Sequence, residues 1–390
     1  MGNYTITIND WSKNLVENIL SEDLWQKMRN DDHWENFREQ AAWYTLAGIL
    51  PHSWKPFKDM PNYGFHSKVT KNLEYSIDEL NEHVEVRGLL EVSILHGLRE
   101  VLGENCVDFP RKKVMYHDWS STKKEDLHGR GFTLYKKPIK DLSKKQRELK
   151  DFDYVIYGVS NAYNQQEIKE VNDLVSEENI WHLDGHDLYG HAPRMINFQG
   201  ENIIGVQKNN SFKRELVENV KNVHPTGFGI PEYQIRKIDF SKKTQLYQKT
   251  APDSALFKEV QDLGGGRAHH IFTDEDDYYE DLSKSWIGLT CKKGGWDCLR
   301  HYEIIAAGTL LLFKDYDLKP QFCSPTFMPC LSYSTKEELD IITKQLVVDN
   351  QPSSLYLSLI DQQRKWLLNN ATTKSRANNI LNILQREWKK

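Results

Sequence analysis

Between Ser285 and Phe313 the chain reads SWIGLTCKKGGWDCLRHYEIIAAGTLLLF. Apolar runs open and close this stretch, which predicts buried strands over 286–290 and 309–313. The segment 297–307 between them has the apolar spacing of a helix, and Gly308 marks the end of that helix. A strand, a helix and a second strand in so compact a length form one parallel βαβ unit. The stretch therefore predicts an α/β fold built on a parallel sheet.

The same alternation continues on both sides of this unit. Strands are predicted over 73–77, 106–109, 153–158, 179–184 and 202–207, and helices over 86–102, 164–175, 210–220 and 275–283. Further helical patterns cover 22–50, 336–348, 355–369 and 374–388. We expect four parts: a mostly helical N-terminal appendage over 1–70, a Rossmann-like domain over 71–200, a second Rossmann-like domain over 201–335, and C-terminal helices over 336–390 that pack across the domains.

Composition narrows the class of protein. A length of 390 residues fits two domains, and a net charge of -5 provides no general positive field that would attract nucleic acid. The 5 cysteines include no C-x-x-C pair, which argues against a disulfide framework or a zinc knuckle and favours a reducing compartment. The sequence has no secretory signal pattern and no apolar run of about 18 residues. We therefore expect a cytoplasmic protein without a membrane span.

The turn at Gly294 and Gly295 lies between a predicted strand and a predicted helix. Glycines there let backbone N–H groups approach a phosphate, and the helix N-terminus adds partial positive charge. Asp297 is expected to be the N-cap, and Arg300 and Glu303 share one helix face. A guanidinium can fork onto a diphosphate, and a carboxylate can accept from both ribose hydroxyls. The same spacing also suits an ordinary turn followed by a surface ion pair.

The run from Gly295 to Gly308, preceded by an acidic helix that carries Tyr278, resembles the donor-binding half of GT-B glycosyltransferases, especially exostosin-like and CgeB-like members. The resemblance implies two Rossmann-like domains that face a cleft. It implies a hexosyl- or pentosyltransferase that uses a UDP- or GDP-sugar as donor, with no further cofactor and no catalytic metal. By the same resemblance, Glu303 holds the donor ribose, while Gly294, Gly295 and Arg300 hold the diphosphate.

A second cluster of polar residues occupies 181–191, which reads WHLDGHDLYGH. It follows a predicted strand, and open α/β sheets bind ligands at the carboxyl ends of their strands. Five side chains have the donor types of a divalent metal site: His182, Asp184, His186, Asp187 and His191. A strand-end turn with polar caps would use the same residue types. The family resemblance offers a third interpretation, in which Asp184, His186 or Asp187 is the base that deprotonates the acceptor hydroxyl.

Three cations and a glycine precede the main stretch. Lys208, Lys213 and Arg214 are predicted near the opening of a helix in the first loop of the C-terminal domain, where they would neutralise the leaving diphosphate. The alternative is that Lys213 and Arg214 lie on a solvated helix face. Gly229 belongs to a loop that resembles the corresponding family loop, and it would permit a close backbone approach to the donor.

The leading functional hypothesis is transfer of a glycosyl group from a nucleotide-sugar to a hydroxyl acceptor. The acceptor would be a glycan or a hydroxylated DNA base. Two alternatives stay open at this point: a metal-dependent hydrolase centred on His182 to His191, and a non-catalytic sugar-binding protein.

Overall fold

A computed structural model describes residues 89–108, 115–116, 152–158, 173–185, 197–198, 201–202, 210–217, 219, 221–250 and 271–388. Several predicted segments lie outside these residues: the appendage over 1–70, the strand over 73–77, and most of the helix over 164–175 and of the strand over 202–207. Lys208, His186, Asp187 and His191 also lie outside them.

Strands and helices alternate along the described chain. The strands are β1 (Val155–Gly158), β2 (Ile180–Asp184), β3 (Asn197–Phe198), β4 (Glu201–Asn202), β5 (Ser211–Lys213), β6 (Val223–Pro225), β7 (Gln245–Tyr247), β8 (Ser285–Thr290), β9 (Leu310–Lys314), β10 (Leu331–Tyr333), β11 (Val347–Val348) and β12 (Gln351–Pro352). The α-helices are α1 (Leu89–Leu102), α2 (Glu275–Lys284), α3 (Leu299–Ala306), α4 (Lys336–Leu346), α5 (Ser354–Trp366) and α6 (Thr373–Trp388), and one π-helical turn, Leu367–Ala371, joins α5 to α6.

Two four-stranded parallel sheets organise these elements. The first sheet has the order β1-β2-β5-β6 and the second has the order β10-β9-β8-β7. The pairs β3-β4 and β11-β12 are short antiparallel ladders. The predicted α/β class is confirmed, and parallel sheets with connecting helices are compatible with Rossmann-like topology. Within the described residues, no helix is long and apolar enough to cross a bilayer.

Two element predictions are wrong. The segment predicted as a helix over 210–220 contains β5, which pairs in parallel with β2 and β6. The first sheet therefore extends past residue 200, where the domain boundary was predicted. The segment predicted as a strand at 106–109 begins as irregular chain over 106–108, after a short 3-10 turn at Gly103–Asn105.

The βαβ unit predicted from the opening stretch is confirmed and forms the centre of the second sheet. Every residue of β8 is buried, and so are the first four residues of β9. Burying such aliphatic side chains stabilises a fold by roughly 1.5–3 kcal/mol each. One apolar core contains Phe212 from the first sheet together with Tyr302 of α3 and Phe313 of β9. This core therefore includes side chains from both sheets and from α3.

Helix α1 crosses the N-terminal end of α6 at Gly97. A Cβ added to Gly97 would lie 1.9 Å from the Thr373 carbonyl oxygen. We expect Gly97→Ala to lower the free energy of unfolding by about 1–3 kcal/mol, because the helices must separate. Urea titration measures this change. An unchanged or higher stability, the usual result of Gly→Ala in an unhindered helix, would contradict the close crossing.

Candidate functional site

The glycine turn lies where the sequence predicted it, between the carboxyl end of β8 and the start of α3. Gly295 is buried and Gly294 is half-buried. The Lys293 N–H donates to the Gly295 carbonyl oxygen at 3.1 Å, which tightens the turn. The N-cap of α3 is Cys298, whose side chain makes no capping hydrogen bond.

Asp297 was predicted to be that N-cap, and this prediction is wrong. Its buried carboxylate accepts from the Phe228 N–H at 3.0 Å and from the Tyr302 hydroxyl. Its own N–H donates to Glu215 Oε1 at 3.0 Å, and its carbonyl accepts from Arg214 Nη1 at 3.0 Å. Asp297 therefore ties the glycine turn to the loops that follow β5 and β6.

Arg300 lies in the first turn of α3, and its side chain folds back on the end of β8. Its Nε donates to Thr290 Oγ1 at 3.1 Å, and its Nη2 lies 3.5 Å from the Cys291 carbonyl oxygen. The third nitrogen, Nη1, makes no hydrogen bond with the residues the structure describes. The guanidinium is only partly buried. Arg300 thus has one edge fixed against the end of β8.

Glu303 lies one turn further along α3. The residue is 8% exposed, and its Oε2 accepts from the Tyr278 hydroxyl at 2.9 Å. Burial, followed by the charge of Glu303, raises the pKa of Tyr278 well above its usual value, so this phenol remains a donor. The charge of Arg300 opposes that rise, which places the guanidinium in the same electrostatic environment. A carboxylate has about four acceptor positions, and the Tyr278 hydroxyl occupies one of those of Glu303.

We call Gly294, Gly295, Arg300, Glu303 and Tyr278 the α3 cluster. Four of the eight residues predicted to bind the donor lie at this turn and the opening of α3, and the Tyr278 hydroxyl is a partner of Glu303.

Sequence reasoning did not single out three further residues around this cluster. Thr290 forms hydrogen bonds with Arg300 and with His301. His301 also bonds to the Trp296 carbonyl oxygen in the turn. Lys292 places its ammonium 5.5 Å from the centre of the Trp296 ring. Helical spacing cannot reveal a pair such as Thr290 and His301, since one member lies on a strand and the other on a helix. Two consecutive lysines before a glycine pair were the available signal for Lys292.

The second polar cluster, over 181–191, is described as far as residue 185, and there its charged side chain has a structural role. Asp184 and Lys213 are register partners on β2 and β5, and they form a buried ion pair. Only 1% of Asp184 is exposed. This pairing accounts for both residues without a ligand, so their burial gives no support to Asp184 as the acceptor base or to Lys213 as a diphosphate contact.

His182 lies in the interior of the first sheet. Its ring stacks on Tyr157 with centroids 5.5 Å apart. Burial lowers the pKa of His182 to about 4, and the charge of Asp184 opposes that shift. The imidazole is therefore neutral near pH 7. Among the described residues, no group of three or more histidine, cysteine, aspartate and glutamate side chains is gathered as a metal site requires.

Arg214 does not open a helix, and it does not lie on a solvated face. It directly follows β5 and is buried. Its guanidinium lies 4.4 Å from the centre of the Phe228 ring and donates to the Asp297 carbonyl. Its charge therefore lies where the loops that follow β5, β6 and β8 meet.

Gly229 was predicted to permit a close approach to a ligand. The close approach exists, but the neighbour is the N-terminal end of α6: an added Cβ would lie 2.9 Å from the Thr373 nitrogen. The Gly229 N–H also donates to Ser93 Oγ at 2.8 Å. Gly229 therefore has a packing role between α1 and α6, and its assignment to the donor stays a prediction.

No family model matches the chain, and a search of curated proteins gives no match. A functional assignment therefore depends on the chemistry of the chain's own residues, above all on those of the α3 cluster.

Proposed function

We propose that the protein is a glycosyltransferase that binds a nucleotide-sugar at the α3 cluster. One observation carries the proposal: Arg300 and Glu303 lie in successive turns at the opening of α3, beside a two-glycine turn at the carboxyl end of a parallel strand. Ligands of open α/β sheets bind at this end of the strands. We propose that the two parallel sheets belong to the two Rossmann-like halves of a GT-B enzyme.

Each member of the cluster suits one part of a nucleotide-sugar. The N–H groups of the glycine turn and the outer edge of Arg300 can donate to the diphosphate. Glu303 can accept from the ribose hydroxyls, while the Tyr278 hydroxyl orients its carboxylate. When the bond from sugar to diphosphate breaks, negative charge grows on the diphosphate. The guanidinium of Arg300 would stabilise that charge, together with the nearby ammonium of Lys292.

The acceptor in this proposal is a hydroxyl group of a glycan or of a hydroxylated DNA base. A net charge of -5 favours the glycan, since a DNA acceptor needs positive charge that faces its phosphates. None of the 5 cysteines is in a disulfide. Free thiols suit a reducing compartment, and we propose that the reaction takes place in the cytoplasm.

A thermal-shift panel with UDP, GDP, CMP and their sugars tests donor binding. We expect one nucleoside diphosphate to raise the melting temperature, by an amount that corresponds to about 2.7 kcal/mol at 100 times its Kd. Arg300→Ala should weaken that nucleotide about tenfold or more, since hydrogen bonds to charged groups contribute about 1.5–3 kcal/mol. Lys365→Ala, at an exposed ion pair on α5, is the matched control.

The carboxylate can be tested without loss of packing. Glu303→Gln keeps an acceptor for the Tyr278 hydroxyl but removes the charge, and we expect it to abolish donor hydrolysis in the absence of acceptor. Binding without hydrolysis in the wild-type protein would favour the non-catalytic sugar-binding alternative. If no nucleotide stabilises the wild-type protein, and a chelator abolishes a hydrolytic activity instead, the proposal is wrong.

A further inference from the structure

A chain of hydrogen bonds connects the Arg300 side chain to the glycine turn through two buried residues. Arg300 Nε lies 3.1 Å from Thr290 Oγ1, and that oxygen lies 3.0 Å from His301 Nδ1. On the other side of the imidazole ring, His301 Nε2 lies 2.9 Å from the Trp296 carbonyl oxygen. Thr290 and His301 are both fully buried. The chain thus spans the end of β8, the turn and the first turn of α3.

The partners fix the direction of every bond in this chain. The Trp296 carbonyl can only accept, so His301 Nε2 carries the hydrogen. In a neutral imidazole Nδ1 is then an acceptor, and the Thr290 hydroxyl donates to it. That leaves the lone pairs of Thr290 Oγ1 to accept from Arg300 Nε.

The neutral state of the His301 imidazole keeps these hydrogen-bond directions unchanged near neutral pH. Burial, followed by the charge of Arg300, lowers the pKa of His301 to about 3. A protonated imidazole would turn Nδ1 into a donor and would break the bond from Thr290. Because the ring stays neutral, one tautomer and one direction of hydrogen bonding persist.

We propose that Thr290 and His301 are positioning residues, which hold Arg300 so that its outer edge faces the diphosphate of the donor. This inference rests on the proposed function. An arginine side chain has many rotamers, and ordering it only when a ligand arrives would weaken binding. Here Nε is already fixed, while Nη1 donates to none of the described residues. The same imidazole also holds the Trp296 carbonyl, so the guanidinium and the glycine turn keep a constant separation.

Removal of one hydroxyl group tests the proposal. Thr290→Val keeps the shape of the side chain, removes the acceptor for Arg300 Nε and leaves the guanidinium present. We expect it to weaken the nucleoside diphosphate about threefold to tenfold by calorimetry, and to weaken inorganic pyrophosphate by a similar factor. Thr290→Ser, which restores the hydroxyl, should bind within about twofold of the wild-type protein.

A matched control separates positioning from general loss of packing. Thr343→Val on α4 removes a buried hydroxyl that bonds to the Tyr247 hydroxyl at 3.0 Å, away from the α3 cluster. We expect it to lower the melting temperature without changing the affinity for UDP, GDP or pyrophosphate.

A double-mutant cycle with Arg300→Ala gives the decisive measurement. If Thr290 acts through Arg300, Thr290→Val should change the affinity no further once Arg300 has been replaced. Additive effects, or an unchanged affinity in Thr290→Val alone, would overturn the positioning role while leaving the proposed function in place. If the wild-type protein binds neither nucleoside diphosphate nor pyrophosphate, the proposed function fails and this inference fails with it.

Discussion

The protein should lose stability steeply as the pH falls from about 6.5 towards 4. Three buried histidines cause this loss. Burial lowers the pKa of His96 to about 4 and that of His182 to about 4, and burial assisted by Arg300 lowers that of His301 to about 3, against an ordinary value of 6.5. Each imidazole is therefore neutral in the folded protein under conditions where the unfolded chain is already protonated.

The sign follows from the protons bound in each state. Between pH 6.5 and the folded values, the unfolded chain binds more protons, so the free energy of unfolding falls with the pH. The free energy of unfolding is therefore unaffected by the titration of these three histidines above pH 6.5, where their imidazoles are neutral in both states. A pKa that differs by about 2.5 between the two states corresponds to about 3 kcal/mol. Three such residues approach the total stability of a typical protein, roughly 5–15 kcal/mol, so we expect unfolding before pH 4.

Urea titrations at pH 7, 6, 5 and 4.5 measure this dependence. His96→Gln retains a polar partner for the Thr373 hydroxyl, which lies 3.0 Å from the His96 ring, and should flatten the profile by about a third. Lys243 adds nothing in this range, since burial lowers its pKa to about 7 and the amine is protonated in both states below that. A free energy of unfolding that stays constant from pH 7 to 4.5 would contradict the neutral burial of these histidines.

Local pattern was sufficient to predict the two central strands of the second sheet, β8 and β9, but not its edge strands β7 and β10. The runs at 286–289 and 310–313 are continuously apolar because both faces of a central parallel strand are covered. Helix α2 carries its own start signal, since the Asp274 side chain accepts from the Asp276 N–H and three acidic residues follow in the first turn. These features depend on neighbours in sequence, which is why the sequence alone reveals them.

Strand β5 could not be predicted in this way. It has three residues, and the charged run Lys213, Arg214 and Glu215 is typical of a helix turn exposed to solvent. All three side chains are buried and have partners distant in sequence: Asp184 for the lysine, and the backbone of Asp297 for the other two. Such partners are visible only once the strands are side by side.

The candidate site was likewise predictable only where it depends on residues close in sequence. The i,i+3 spacing of Arg300 and Glu303 and the glycine pair before them could be read locally. The partners that orient Glu303 and Arg300 could not be predicted locally, because Tyr278 comes from α2 and Thr290 from β8. Asp297 looked like an N-cap and Gly229 like a ligand contact for the same reason, since each has the right residue type at a loop but makes its contacts with other elements of the fold.

Lys213→Met should be among the most damaging single substitutions in the described part of the chain. It leaves the Asp184 carboxylate charged and without its ammonium inside the first sheet, and removal of one partner of a buried ion pair costs about 3–5 kcal/mol. Denaturant unfolding of the purified variant measures the loss. A change below about 1 kcal/mol would mean that water reaches the pair.

The double variant Asp184→Leu with Lys213→Met separates a structural pair from a catalytic one. Replacing a buried ion pair by apolar side chains of similar volume is often neutral or stabilising, so the double variant should regain most of the stability that Lys213→Met loses. If Asp184 were the base that deprotonates the acceptor, the double variant would fold but would not transfer sugar. Since Asp184 is enclosed and neutralised on β2, we expect transfer to persist, and the base must then be sought among other residues that reach the acceptor.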